Sequence, residues 1–149
     1  MKLIVRFALA VLIMSSVASC KKDHGSTSDT SAFVGNWELS QVIANMPTIN
    51  LASGNGNVLT LTANTYAFRE NGQLKKNGTY TLKDDVTAEQ NVCLVFAAGT
   101  FTKRIIFDGD ESAPKTFIDV TNNQLSLASG CFADDSGSKR IYKRLPTEY

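Results

Sequence analysis

At 149 residues the chain has room for one domain, and 15 basic against 14 acidic residues leave a formal net charge of +1. Such a balance lacks the basic stripe that gathers nucleic-acid phosphates. A single histidine removes the central residue of histidine-based triads and of histidine-rich metal sites.

The first element is a targeting pattern. Lys2 and Arg6 flank the start of an apolar run over residues 7–14, followed by Val17-Ala18-Ser19-Cys20. A run this short falls well below the roughly 20 helical residues that cross a hydrocarbon core. A charged start, a short apolar run and small residues before a cut compose a removable export signal. Val-Ala-Ser-Cys matches a bacterial lipobox, so residues 1–19 are expected to be cleaved and Cys20 to carry lipid at the new N-terminus. Buried acyl chains contribute about 0.8 kcal/mol per methylene, and more than one chain makes a stable membrane anchor. Loss of Lys2 and Arg6 leaves 13 basic residues against 14 acidic, a mature charge of −1.

Residues 21–32, rich in Ser, Thr and Asp, read as a solvated tether. About 12 flexible residues reach roughly 20 Å. His24 falls in this stretch, as a solvated side chain rather than a base or a ligand.

From Phe33 onward the pattern is β. Short alternating segments rich in Val, Ile, Thr, Tyr and Phe are separated by Gly, Asn and Asp. Strands are predicted at 35–44, 58–62, 65–70, 78–83, 92–97, 101–108, 116–121, 124–127 and 140–145. Alternation is clearest at Leu59/Leu61, Tyr66/Phe68, Tyr80/Leu82, Ile105/Phe107 and Leu125/Leu127. Turns are expected at Ala63-Asn64, Glu70-Asn71-Gly72, Asn77-Gly78, Gly99-Thr100 and Asn122-Asn123. No window of ten or more residues carries a helical stripe.

Eight or nine antiparallel strands in up-and-down order can close into a barrel or stack as a sandwich. An immunoglobulin-type sandwich places its tryptophan between two bridged cysteines, whereas Trp37 precedes both Cys93 and Cys131. Short connections favour neighbour pairing, and closure removes exposed edges. The barrel is therefore the expected fold, its interior either filled by side chains or open to one small ligand.

Gly35-Asn36-Trp37 at the start of the first strand resembles the Gly-x-Trp signature of lipocalin and wider calycin barrels. The order of lipobox, tether, G-x-W, T-Y-x-F, N-G-T-Y-T-L and a terminal Y-K-R is similar to that of small lipocalin-like lipoproteins of Bacteroidetes, over nearly the whole mature chain. The resemblance implies an arginine from the last strand packed over Trp37 to close the barrel base. Arg144 matches that position best, with Arg140 as the second choice. It also implies placement at the outer membrane of the cell envelope. The T-D-Y signature of larger lipocalins is absent, so their ligand habits do not transfer.

Trp37 alternates with Leu39 and so faces the core whichever reading holds. With Cys20 reserved for lipid, Cys93 and Cys131 remain as a pair in an oxidising compartment. A bridge between them contributes roughly 4 kcal/mol in the chain-entropy model; otherwise they are two reduced thiols. Their spacing resembles neither a redox motif nor a zinc site.

Carboxylates cluster at Asp84-Asp85, Asp108-Gly109-Asp110-Glu111 and Asp134-Asp135. Each is read as a solvated turn; only the second concentrates oxygen ligands enough to suggest calcium, and it lacks the D-x-D-x-D-G loop. Asn77-Gly78-Thr79 is read as a turn rather than a glycosylation acceptor. There is no G-x-S-x-G elbow, P-loop or dinucleotide fingerprint. No catalytic residue, metal or cofactor is expected.

Two functions remain in view. The first is a binding module that holds a small hydrophobic ligand, with Tyr66, Phe68 and Tyr80 as inward candidates that equally serve as core filling. The second is a structural or interaction lipoprotein with a filled barrel, meeting an envelope protein through residues 46–56, where Ile49 and Leu51 are exposed. That segment is also placed to act as a lid.

Overall fold

The computed structural model describes residues 30–45 and 47–146, so the expected export signal, Cys20, His24 and nearly all of the expected tether lie outside the described residues. Nine strands follow in chain order: β1 (Gly35–Ala44), β2 (Ile49–Asn50), β3 (Val58–Leu61), β4 (Thr65–Glu70), β5 (Gln73–Asp84), β6 (Lys103–Phe107), β7 (Thr116–Thr121), β8 (Gln124–Ser129) and β9 (Ser138–Arg144). A short helix α1 (Ala88–Val92) stands between β5 and β6, and a 3₁₀ turn (Phe132–Asp134) between β8 and β9. Every strand pairing is antiparallel.

Closure decides between the two expected architectures. β9 returns to β1 in a ladder from Trp37↔Arg144 to Ala44↔Ser138. The ring β1-β3-β4-β5-β6-β7-β8-β9 is therefore an eight-stranded up-and-down barrel, with β2 added beside β1. β2 pairs with Gln41 and Val42 while β3 pairs with residues 35–38, so the segment after β1 extends the wall. Glu38, itself buried, secures it by accepting backbone N–H bonds from Gly54 at 2.9 Å and Gly56 at 3.3 Å. Ile49 is 58% exposed and Leu51 half-buried.

Local chemistry explains the tight connections. Asn71 and Gly72 have φ of 49° and 78°, and Asn122 and Asn123 have φ of 51° and 61°. Such left-handed pairs match the twist of two-residue hairpins, and Asn and Gly tolerate them best. Register shifts between Leu39 and Gln41 and between Phe68 and Arg69 mark bulges, which bend the strands at one end of the ring.

Two expectations fail. Residues 92–97 form no strand: Ala88–Val92 is helical, and Cys93 follows in the left-handed region with φ of 57°. Of the apolar residues in this stretch Val92 and Phe96 cover the outside of the barrel, while Leu94 and Val95 are exposed. Val92 and Phe101 pack with Ala88, Phe117 and Ala128 in a core of their own, separate from the interior. Asn77-Gly78 is not a turn either, because β5 starts at Gln73 and runs straight through it. The polar Lys75-Lys76-Asn77 run disguised the first half of this strand, which stands exposed on the ring.

The interior is filled at one end. Trp37, Leu59, Leu61, Tyr66, Tyr80, Ile105, Ile118, Leu125, Leu127 and Tyr142 form its buried cluster. Strand polarity sets the two ends apart. Chain entry at Gly35, chain exit after Arg144 and the β3–β4 and β7–β8 turns mark the base. The β4–β5, β6–β7 and β8–β9 connections ring the mouth.

Candidate functional site

The base is sealed by Trp37 and Arg144. The indole is wholly buried, and its Nε1 donates to the Phe33 carbonyl at 2.8 Å. The Arg144 guanidinium lies 4.0 Å from the ring centroid and donates to the carbonyls of Val34 at 2.8 Å and Ala32 at 2.6 Å. A cation on an indole face contributes about 0.5–2 kcal/mol, more as it is desolvated. Gly35 sits beneath this stack with φ of 150°, and a Cβ there would lie 2.6 Å from Arg144 Nη1. Gly35, Trp37 and Arg144 thus act together, each limiting the others. Arg140 lies four residues earlier in β9, at the level of Leu127 and Val42, and takes no part in the seal.

Tyr66 and Tyr80 are spent on structure. Tyr66 is 2% exposed and donates its hydroxyl to Asp108 Oδ2 at 2.7 Å; Tyr80 is 4% exposed and donates to the Thr62 carbonyl at 2.6 Å. Burial pushes both phenols above their usual range. Asp108 also meets Lys76 Nζ at 3.1 Å, and the Tyr66 and Lys76 bonds hold its carboxyl below the usual range. Tyr66 meets Phe68 and Phe107 edge to face, with the Tyr66 and Phe107 centroids 4.6 Å apart, and Phe68 is tilted against Phe107. These rings form the floor above which the barrel is no longer filled.

Above that floor a cavity of about 490 Å³ opens between β1, the β4–β5 hairpin and β9. Leu39, Val42, Phe68 and Tyr142 give it apolar walls, and Arg69, Lys75, Lys76 and Arg140 surround it with a single carboxylate, Glu70. A smaller hollow of about 160 Å³ adjoins it at Phe68 and Arg140 and reaches Phe107 and Leu127. Of the three residues expected to face a ligand, Phe68 lines this space, whereas Tyr66 and Tyr80 lie below it. Arg69, Lys75 and Lys76 were missed because they read as ordinary solvent-facing charges, and Arg140 was considered only as the second choice for the base.

Comparison with known protein families, curated proteins and solved structures finds no match for this chain.

The outer wall carries the remaining chemistry. Residues 85–102 form a strap over β7 and β8, and Cys93 is joined to Cys131 with Cα atoms 5.0 Å apart. Asp85 anchors the foot of the strap, against the expectation of a solvated turn. Its side chain is 9% exposed, meets Lys115 Nζ at 2.8 Å and accepts from Thr87 N at 2.9 Å and Thr87 Oγ1 at 2.6 Å. Burial pushes this carboxyl up, but the bonds from Lys115 and Thr87 outweigh burial and leave its pKa at about 2.

Asp110 and Glu111 are also engaged. Asp110 accepts from Ser112 and Ala113, and Glu111 pairs with Lys83 and Arg104. Among the described residues no three His, Cys, Asp or Glu side chains gather as metal ligands.

Proposed function

We propose that this protein is a lipid-anchored envelope lipoprotein, lipocalin-like in build, whose barrel binds a small and mainly apolar molecule at its mouth. One observation carries the reading: the barrel is plugged at the base by Trp37 and Arg144 yet holds a cavity of about 490 Å³ at the other end. Small-molecule sites are concave, largely apolar and about 300–1,000 Å³ in volume, with a few convergent polar groups. The described chain begins at the base, through Thr30 and Phe33. An anchor at Cys20 therefore joins the domain at the end away from the cavity, which leaves the mouth free to meet solutes.

The test has two arms. Full-length protein is titrated with N-phenyl-1-naphthylamine, an uncharged apolar probe. Saturable one-to-one binding is expected, and Val42→Trp, which fills the cavity, should abolish it while the thermal melt stays cooperative. In the native host, Cys20→Ala should move the protein from the membrane to the soluble fraction. Unsaturable probe binding removes the ligand reading, and a membrane-retained Cys20→Ala variant removes the anchor.

A further inference from the structure

We infer that the mouth selects amphiphiles with an anionic head, a carboxylate or a phosphate monoester on one alkyl chain. This inference rests on the binding reading above and adds the ligand class to it.

The charge distribution carries it. The chain is near neutral, yet four cations and one carboxylate line this single cavity. Lys76 is neutralised by Asp108 at 3.1 Å. Arg69, Lys75 and Arg140 form no ion pair among the described residues, so the mouth keeps an uncompensated positive field.

The placement of Arg140 is more telling than the count. In β9 it alternates with Tyr142 and lies across from the buried Leu127 of β8. That is an inward register position, where a filled barrel would place an apolar side chain. The Arg140 side chain stays exposed to solvent at the rim, beside Phe68 and Leu127, and its planar fork is built to hold two oxygens of one head.

Both hollows meet at Phe68 and Arg140. A head held at Arg140 can therefore lay its chain along Leu39, Val42 and Phe68. Each buried methylene should tighten binding about fourfold.

The experiment measures calorimetric affinities of the full-length protein for decanoate, decyl phosphate, decanol and decyltrimethylammonium, each below its micellar concentration. The two anions should bind about tenfold more tightly than decanol, and the cation should bind worst. Arg140→Gln should shrink the ratio of anion to alcohol affinity to about threefold or less. Lys75→Gln should shrink it by a smaller factor, and 0.5 M salt should narrow it in the parent protein.

Decanoate above decyl phosphate assigns a carboxylate head, and the reverse order assigns a phosphate. Equal affinity for decanol and both anions overturns the inference and leaves the binding reading standing. No binding of any decyl compound, or capture by phosphatidylglycerol vesicles alone, overturns both.

Discussion

Arg144→Met tests the claim that a guanidinium, rather than apolar packing alone, seals the barrel. Methionine keeps an unbranched stem over the indole but removes the charge and both donors. The two carbonyls released, on Ala32 and Val34, lie at the surface where water can replace the lost bonds. Those bonds are therefore worth about 1 kcal/mol together instead of about 1 each. Loss of the cation at 4.0 Å from the ring costs about 1 kcal/mol more. The expected destabilisation is about 2 kcal/mol, or roughly 8 °C in melting temperature for a domain of this size. Trp37 is the only tryptophan, so urea titration followed by its emission reports directly on the base. The midpoint should fall with an unchanged slope. Arg144→Lys keeps the charge and should lose about half as much. A loss below about 0.5 kcal/mol for Arg144→Met would refute the reasoning and leave the buried indole as the whole seal.

The outer wall gives two further predictions. Asp85 has its carboxyl at a pKa of about 2 in the folded chain, below its ordinary 3.8, so its contribution is complete above pH 4 and fades as pH falls from 3.8 towards 2. After allowance for solvent screening that contribution is about 1 kcal/mol, and Asp85→Asn should flatten the stability profile across this window; an undiminished slope removes Asp85 as its cause. Replacing both Cys93 and Cys131 by alanine opens a bridge of sequence separation 38, worth up to about 4 kcal/mol. Limited proteolysis of that variant should cut within residues 85–102 before any strand; first cleavage at the β4–β5 hairpin would show that the strap is held by its apolar contacts alone.

Periodicity made the barrel legible because most strands bury one face and expose the other. Leu59/Leu61 and Leu125/Leu127 announce their side of the wall, and Asn122-Asn123 announces its turn. The base came from the resemblance instead: Gly35-Asn36-Trp37 resembles a lipocalin signature, which implied a late arginine over the indole. Residues 92–97 misled because a short apolar run does not say which of its members is buried or against what: Val92 is buried on the outer wall, whereas Val95 is 89% exposed. The outer faces of Phe117 and Ala128, on strands far along the chain, turn that segment into a helix and a strap. Asp85 looked like a turn residue because its partners arrive from elsewhere in the chain, Arg104 from β6 and Lys115 from the β6–β7 connection.

The mouth depended most on three dimensions. Local pattern assigns each residue to a face, but the volume enclosed by eight strands follows from their stagger, bulges and register around the ring. Two of the three aromatics expected there lie below the cavity, and Arg140, the second choice for the base, takes an inward register position at the exposed rim of the mouth because β9 pairs it with Leu127 and Val42. Alternation within a strand is a property of the chain. An empty space among strands belongs to the closed sheet, and only closure decides which side chains border it.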